Sequence, residues 1–490
     1  MKKRVFSLVL FLAILLTSCG SDGGQTNDTT LSDTTIASVE ESSPFVKDEL
    51  PANLDLNNET IRFCVQSNCI EEYFIAEATG DIVDDAIYNA NLNVENRLNV
   101  NIEYIPYTYT SWNDRSLYMT AVENSILADD DSFDVLISTG FISGFMVRGY
   151  LMNLADKPYL DFDKPWWSSD MAEQMTINGV LPFITGDISI GKTKGIMCMF
   201  FNKNIHSDYK MDDLYTLVDE GKWTVDKMGE LAAMAYSDLN GNSKADEDDR
   251  LGLVFEGYNC YLGFLDSCRL TVIETAGDEF SFVFGNERNT NIIQKLVEIL
   301  SSSDGISSHG EDDSAKYLAE DALFKNGNVL FTGGWINCAA SYRNLDFEYG
   351  ILPYPKFDES QENYGSTVLN IYSSYALPVT NKRVDSTCAV LEALSSEFYR
   401  SVTPAYFETT LKVKYSQDNE MSRMFDMLRD TASFNIALTY ANALDYIADN
   451  IKNALGSKDP NWASRMASRK TTVETLIGNI SDAYAEMANK

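Results

Sequence analysis

The chain has 490 residues, room for two or three domains, and 44% of them are hydrophobic, which excludes wholesale disorder. Against 73 acidic residues stand 38 basic ones, a net charge of −35, and such a surface repels phosphate backbones and argues against nucleic-acid binding. Two histidines, and no Cys-x-x-Cys spacing among eight cysteines, leave little from which to build a multi-His or zinc-knuckle site.

The first element is a leader. Lys2, Lys3 and Arg4 form a basic head, and Val5 to Leu16 run almost unbroken apolar. This is the layout of a secretory signal, too short for a spanning helix of about 20 apolar residues. Leu16-Thr17-Ser18-Cys19 resembles a bacterial lipobox, which implies cleavage before Cys19, lipid on that residue and membrane attachment outside the cytoplasm. Residues 1–18 are therefore expected to be a signal peptide. Residues 19–57 follow as a tether, rich in Ser, Thr, Asp and Gly and poor in large apolar side chains.

The folded part starts near Asn58. Thr60 to Val65 is strand-like; Val83, Ile87, Ala90, Val94 and Leu98 recur at helical spacing; Val100 to Tyr104 alternates as a second strand. A helix over Ser116–Leu127 and a buried-type strand over Phe133–Ser138 complete a strand-helix-strand-helix-strand series, the signature of a parallel α/β sheet. Ligands of such sheets sit beyond the strand carboxyl ends. That places Ser67 after the first strand, and Ser138 and Thr139 after the third, at a candidate ligand edge.

Further along, Gly195–Phe201 is an apolar strand, and Thr224 is placed to cap a helix over Val225–Tyr236. Strands are expected at Leu251–Phe255 and Asn328–Thr332, with helices over Ile292–Leu300 and Ala315–Phe324. Tyr349–Pro353 and Tyr375–Pro378 are strand-like, and the pattern from Asp385 onward is mostly helical. Cys64 with Cys69, or Cys260 with Cys268, could bridge outside the cell; buried apolar thiols are the simpler reading.

Two motifs invite chemistry. In the acidic loop 238–249, oxygen-bearing Asp238, Asn240, Asn242, Asp246 and Asp249 occupy positions one, three, five, nine and twelve, and Lys244 at seven would supply its backbone carbonyl. This is EF-hand spacing for a structural calcium ion, with Ser243 where Gly is preferred and Asp249 in place of the final Glu; a solvated acidic loop is the alternative. The Asp ending resembles that of dockerin-type loops. Gly186-Asp187-Ile188-Ser189-Ile190-Gly191-Lys192-Thr193 matches the P-loop spelling, but an apolar strand follows where a phosphate-binding helix should open. It is read as a crossing segment between lobes. No organic cofactor is indicated, and no nucleophile or zinc-protease motif points to an enzyme.

Four segments carry a family resemblance: Met199-Phe200-Phe201-Asn202-Lys203; Leu214-Tyr215 with Lys222-Trp223-Thr224; Ala322 to Phe331 leading into Trp335; and Tyr349 to Pro355. In this order, behind a lipobox, they resemble extracellular solute-binding lipoproteins of ABC importers, in the maltose-binding-like, sugar-binding branch. The resemblance implies a two-lobe α/β fold of the type II periplasmic-binding kind, with ligand in the cleft between the lobes. Lobe one would be 58–191 with 347–397, and lobe two 192–346 with 398–490. It further implies a monomer that hands a solute, most plausibly a sugar, to permease subunits after hinge closure.

Sugars offer C–H faces that stack on aromatic rings, and 12% of this chain is aromatic. Trp335, after two glycines, resembles a cleft tryptophan of that branch. Trp462 has a similar position near the start of the last helical region, and at least one of Trp166 and Trp167 is expected to face the cleft. A surface-anchored glycoside hydrolase, or a sensor presenting its ligand to a membrane kinase, stays open on sequence grounds.

Overall fold

The structure is a computed structural model describing residues 46–243, 245–255, 257–302, 305–307, 321–459 and 461–489. The signal, Cys19, most of the tether, Lys244 and the start of the helix expected at Ala315 lie outside the described residues.

The first sheet forms where the apolar runs begin. Strand β1 (Glu59–Gln66) is followed by helix α1 (Ile82–Leu98), β2 (Val100–Tyr107), α2 (Arg115–Ala128), β3 (Val135–Thr139) and the short α3 (Ile142–Met146). Asp81 caps α1 by accepting hydrogen bonds from the backbone of Val83 and Asp84, and Asn99 ends the helix in the left-handed region at φ 47°. Between these stops, Val83, Ile87, Ala90, Val94 and Leu98 form the buried stripe, each of the larger ones contributing about 1.5–3 kcal/mol on full burial. Strands β2 and β3 pair parallel to β1 on either side, in the registers Phe63 with Tyr104 and Phe63 with Val135. The fourth strand, Ser373–Ala376, joins from far along the chain and runs antiparallel to β3.

A second sheet is built from β4 (Met197–Asn202), β5 (Leu251–Phe255), β6 (Val329–Trp335) and β7 (Tyr349–Leu352), in the order β5-β6-β4-β7. Only β5 and β6 are parallel; β4 runs against both β6 and β7. Every residue of β4, β5 and β7 is buried, the pattern of strands covered on both faces. One cover is α4 (Val225–Ala235), capped by the Thr224 hydroxyl, which accepts from the Lys227 amide. The helix α5 (Glu287–Ser302) packs in turn on α4. The expected boundary at Phe347 is corrected: Tyr349–Leu352 still belongs to the second sheet, zipped to β4, and the chain returns to the first sheet only at Ser373.

The described residues all fall within a single compact unit, and paired crossings join its two sheets. Ile184 and Tyr375 exchange backbone hydrogen bonds of 3.1 and 2.7 Å, and the Leu369 amide donates to Gly195 at 2.9 Å. The P-loop-like stretch lies here. Its end is a single helical turn, Gly191–Lys194, whose lysines are spent on carboxylates: Lys192 on Asp187 at 2.8 Å and Lys194 on Glu72 at 3.0 Å. It carries the chain between sheets, as a crossing segment does.

The C-terminal helices serve both halves rather than the second alone. Ala405–Tyr415 is wound as a π-helix and packs on α1, while α6 (Val384–Arg400) also lies on α1. By contrast α7 (Asp449–Gly456) packs on the second half, beside the turn Tyr258–Gly263. The last helix, α8 (Trp462–Ala488), touches both: its Tyr484 hydroxyl donates to the Met175 carbonyl, and it packs on Glu279–Phe282. Cys64, Cys69, Cys198, Cys260, Cys268, Cys338 and Cys388 are thiols, not disulfides, all but Cys69 buried.

One buried acid sits beneath the first sheet. Glu392 of α6 is 1% exposed and accepts a hydrogen bond from the Trp167 indole N–H at 2.9 Å. Burial lifts its carboxyl to about 7 from an ordinary value of 4.5. Between those two values the unfolded chain has released a proton that the folded chain keeps, so this group's contribution to stability falls as pH rises through that window. Glu392→Gln keeps an acceptor for Trp167 and cannot ionise. Its melting temperature is expected to exceed that of the wild type at pH 8, with the gap shrinking at pH 5; a wild-type advantage at pH 8 would refute the assignment.

Candidate functional site

Three strand carboxyl ends from the two sheets converge on a cavity of about 360 Å³. After β2 comes the turn Trp112–Asp114, after β5 the turn Tyr258–Gly263, and β6 ends on Trp335 itself. The segment leading into α7 closes the wall with Tyr446, and α7 adds Asp449 and Lys452. This is where an α/β sheet leaves its ligand edge open.

Local chemistry explains how each ring is held. Gly333 precedes Trp335 because β6 lies against Tyr354: a Cβ there would sit 2.5 Å from the Tyr354 hydroxyl oxygen. Trp112 is 52% exposed, which is unusual for so large an apolar ring and marks it as available surface. Its ring meets Tyr446 edge-on at 5.2 Å, and the Arg115 guanidinium lies 4.5 Å from its centroid. Asp445 and Tyr446 are consecutive left-handed residues, φ 50° and 52°. For a bulky residue this backbone is strained, and such strain gathers at functional sites. The strain is held in place by the Tyr446 amide, which donates to Ala441 at 2.8 Å, and by Asn442, whose side-chain N–H donates to the Tyr446 hydroxyl at 2.8 Å.

Polar groups punctuate the aromatic wall. Lys452, only 7% exposed, places its ammonium 2.9 Å from Asp449, 2.9 Å from the Asn259 side-chain oxygen and 4.7 Å from the Tyr258 ring centroid. Tyr258 in turn hydrogen-bonds the Asn453 side chain. Asn370 reaches the wall from the returning crossing and donates to the Leu438 carbonyl at 3.3 Å. Gly140, φ 69°, lets the end of β3 pass close by, since a Cβ there would stand 3.2 Å from the Asn370 carbonyl oxygen. Aromatic faces with a few oriented polar groups suit a ligand with both C–H faces and hydroxyls.

Two other recesses lack that character. A groove of about 900 Å³ lies wholly on the second half and is lined largely by carboxylates, among them Asp212, Asp226 and Glu230. A recess of about 490 Å³ behind the crossing holds the Lys194–Glu72 ion pair and the start of α1.

Of the residues expected from sequence, the structure brings Trp335 to the cavity wall. The others are corrected. Trp462 is buried edge-on against Phe284 at 4.7 Å. Trp166 packs on Tyr399, and Trp167 lies between Phe162 and Tyr375; both are core residues of the first half. The Ser67 hydroxyl is occupied by the Tyr109 backbone, both as donor and as acceptor at 3.0 Å. Thr139 donates to Gln66 at 2.8 Å, and Ser138 is buried where β3 pairs with Ser374. Sequence reasoning missed Trp112, Tyr258 and Tyr446. The available signal was position: the first two sit just past strand ends, beside the polar residues of a turn.

The acidic loop closes around its own oxygens. Asp238 accepts from the amides of Gly241 and Ser243 at 2.6 and 2.8 Å, and Asp249 accepts from those of Leu239 and Asp246 at 2.9 and 3.2 Å. Ser243 takes the left-handed conformation, φ 60°, that the sixth position of such a loop demands. The side-chain amides of Asn240 and Asn242 both donate to Asp246. Among the described residues, no three His, Cys, Asp or Glu side chains stand close enough to form a metal cluster as placed.

No protein-family model matches the chain, and no curated protein matches it significantly. Solved structures do. UspC of M. tuberculosis is 15% identical with a TM-score of 0.54, covering 86% of this chain and 100% of that one. The GacH receptor of Streptomyces glaucescens, solved unliganded and with acarbose, is 16% identical with a TM-score of 0.51, over 88% and 98%. An ABC substrate-binding protein of Listeria monocytogenes, solved with cycloalternan, is 12% identical with a TM-score of 0.50, over 87% and 99%. The chain thus has the two-lobe α/β fold of these solved structures, among them a substrate-binding protein and a receptor.

If the cavity binds through its rings, Trp112→Ala and Trp335→Ala should each weaken saccharide binding by tenfold or more while the melting temperature stays within a few degrees. Calorimetric titration checks this; unchanged affinity in both variants would remove the cavity from consideration.

Proposed function

We propose that this protein is the extracytoplasmic receptor of an ABC importer, capturing a carbohydrate between its lobes and presenting it to permease subunits. The observation that carries the reading is the aromatic cavity built from both sheets, in a fold shared with proteins solved in complex with acarbose and cycloalternan. Closure about the paired crossings would bring Trp112 on one side and Tyr258 and Trp335 on the other onto opposite faces of a sugar. Binding without catalysis is favoured over glycoside hydrolysis. Hydrolysis uses two carboxyl groups flanking the scissile bond, whereas among the described lining residues Asp449 is the one carboxylate, and Lys452 pairs with it.

Two further features complete the proposal. Cys19 carries a lipid anchor that keeps the receptor near its permease and raises their effective concentration. The loop at Asp238–Asp249 takes a calcium ion that stiffens the second half, supported by the oxygen spacing and by the left-handed Ser243. Among the described residues no helix is long and apolar enough to cross a membrane. The lipobox-like Leu16-Thr17-Ser18-Cys19 is what supports the anchor, and Cys19→Ser should reduce the share of the protein in the membrane fraction.

A thermal-shift screen of the purified protein against saccharides and peptides, with calcium and with chelator, tests the main reading. A ligand of the native state must raise the midpoint by mass action. Stabilisation by at least one saccharide, and a lower midpoint on chelation, are expected. Stabilisation by peptides alone would overturn the carbohydrate assignment, and an unchanged midpoint on chelation would overturn the calcium site.

A further inference from the structure

The cavity holds opposite charges that are already committed to one another. Lys452 is almost fully buried, bound to Asp449 and to Asn259, each at 2.9 Å, and seated over the Tyr258 ring. Its three N–H directions thus have a carboxylate, an amide oxygen and a ring close by. Arg115 lies over the Trp112 and Tyr446 rings and does not line the cavity. Among the described residues that line the wall, Lys452 is the one cation, and it is already paired with a carboxylate. The chain as a whole carries −35, which raises the cost of bringing an anion to the mouth.

Resting on the receptor reading above, we infer that the cavity selects uncharged saccharides and rejects their uronate, sulfated and phosphorylated counterparts, with the Lys452–Asp449 pair as the specificity determinant. An anionic sugar entering the closed site would lose its water without gaining a free counter-charge. A neutral sugar loses nothing comparable, because its faces meet Trp112, Trp335 and Tyr446 and its hydroxyls meet Asn259 and Asn370. The pair therefore works by exclusion: neutralised in advance, it presents polar atoms and no net charge.

The inference predicts a gain of function. Asp449→Asn removes the counter-charge and leaves Lys452 able to pair with an incoming carboxylate. Full-length wild type and the variant are titrated calorimetrically with matched pairs differing only in charge: galactobiose with digalacturonate, and cellobiose with its glucuronate-containing analogue. The wild type is expected to bind at least one neutral member, with its charged partner at least 100-fold weaker. The variant is expected to bind that charged partner at least tenfold more tightly than the wild type does. Equal or tighter binding of a charged member by the wild type would overturn the inference and leave the receptor reading standing, as would a folded variant with no gain. No heat from any saccharide, neutral or charged, would count against the carbohydrate reading itself. Should Asp449→Asn fail to fold, Asp449→Ser serves the same arm.

Discussion

The reciprocal backbone bonds between Ile184 and Tyr375, with that between Leu369 and Gly195, are the constraint on which the rest of the structure depends. They pin two crossing segments side by side and so fix which ends of two separate sheets face each other. Each sheet leaves its strand carboxyl ends unroofed, because helices cover faces and not ends. Setting one sheet's open edge against the other's makes a cavity that neither half has alone. The segment between Leu438 and Asp449 makes a further crossing. It lies on the first half where the Ala443 amide meets the Ser143 hydroxyl at 3.3 Å, and enters the second half at α7. The left-handed pair Asp445–Tyr446 sits on that crossing, so the strained backbone and the aromatic wall occupy one place.

Electrostatics act at two scales in this molecule. Over the whole surface the acidic excess is large, yet the groups that matter locally are paired. Asp134, with a side chain that is not exposed, receives Arg62 at 3.1 Å and Arg383 at 2.9 Å beneath the first sheet. Lys194 and Lys192 are held by Glu72 and Asp187 at the crossing, and Lys452 by Asp449 in the cavity. Charges withdrawn even partly from water are costly unless matched, so the role of these half-buried pairs is geometric: each ties one segment to another.

Much of the scaffold was legible in the sequence because it follows from local rules. Helix α1 announces itself through apolar spacing, the Asp81 cap and the Asn99 stop; β4, β5 and β7 through short apolar runs. The site was less legible. Trp335 follows from a strand running into its end, but the same residue type misled at Trp166, Trp167 and Trp462, which fill the core. A tryptophan's sequence neighbours do not say which face of the fold it meets; that depends on partners far along the chain, such as Glu392 for Trp167 and Phe284 for Trp462. Tyr446 was invisible for a different reason. Its placement depends on a left-handed backbone that pattern reading assigns to glycine or asparagine, held here by bonds to Ala441 and Asn442 that no apolar periodicity reports. The lobe boundary was set too early because β7 is bonded to β4, a pairing no local signal reports.

Hydrogen exchange with and without a saturating saccharide tests the central claim most directly, because it reads both halves in a single experiment. The account predicts simultaneous protection of the turn Trp112–Asp114 from the first half, the turn Tyr258–Gly263 from the second, and the crossing that bears Tyr446. Protection confined to one half, or found instead along the acidic groove that includes Asp212 and Glu230, would contradict it.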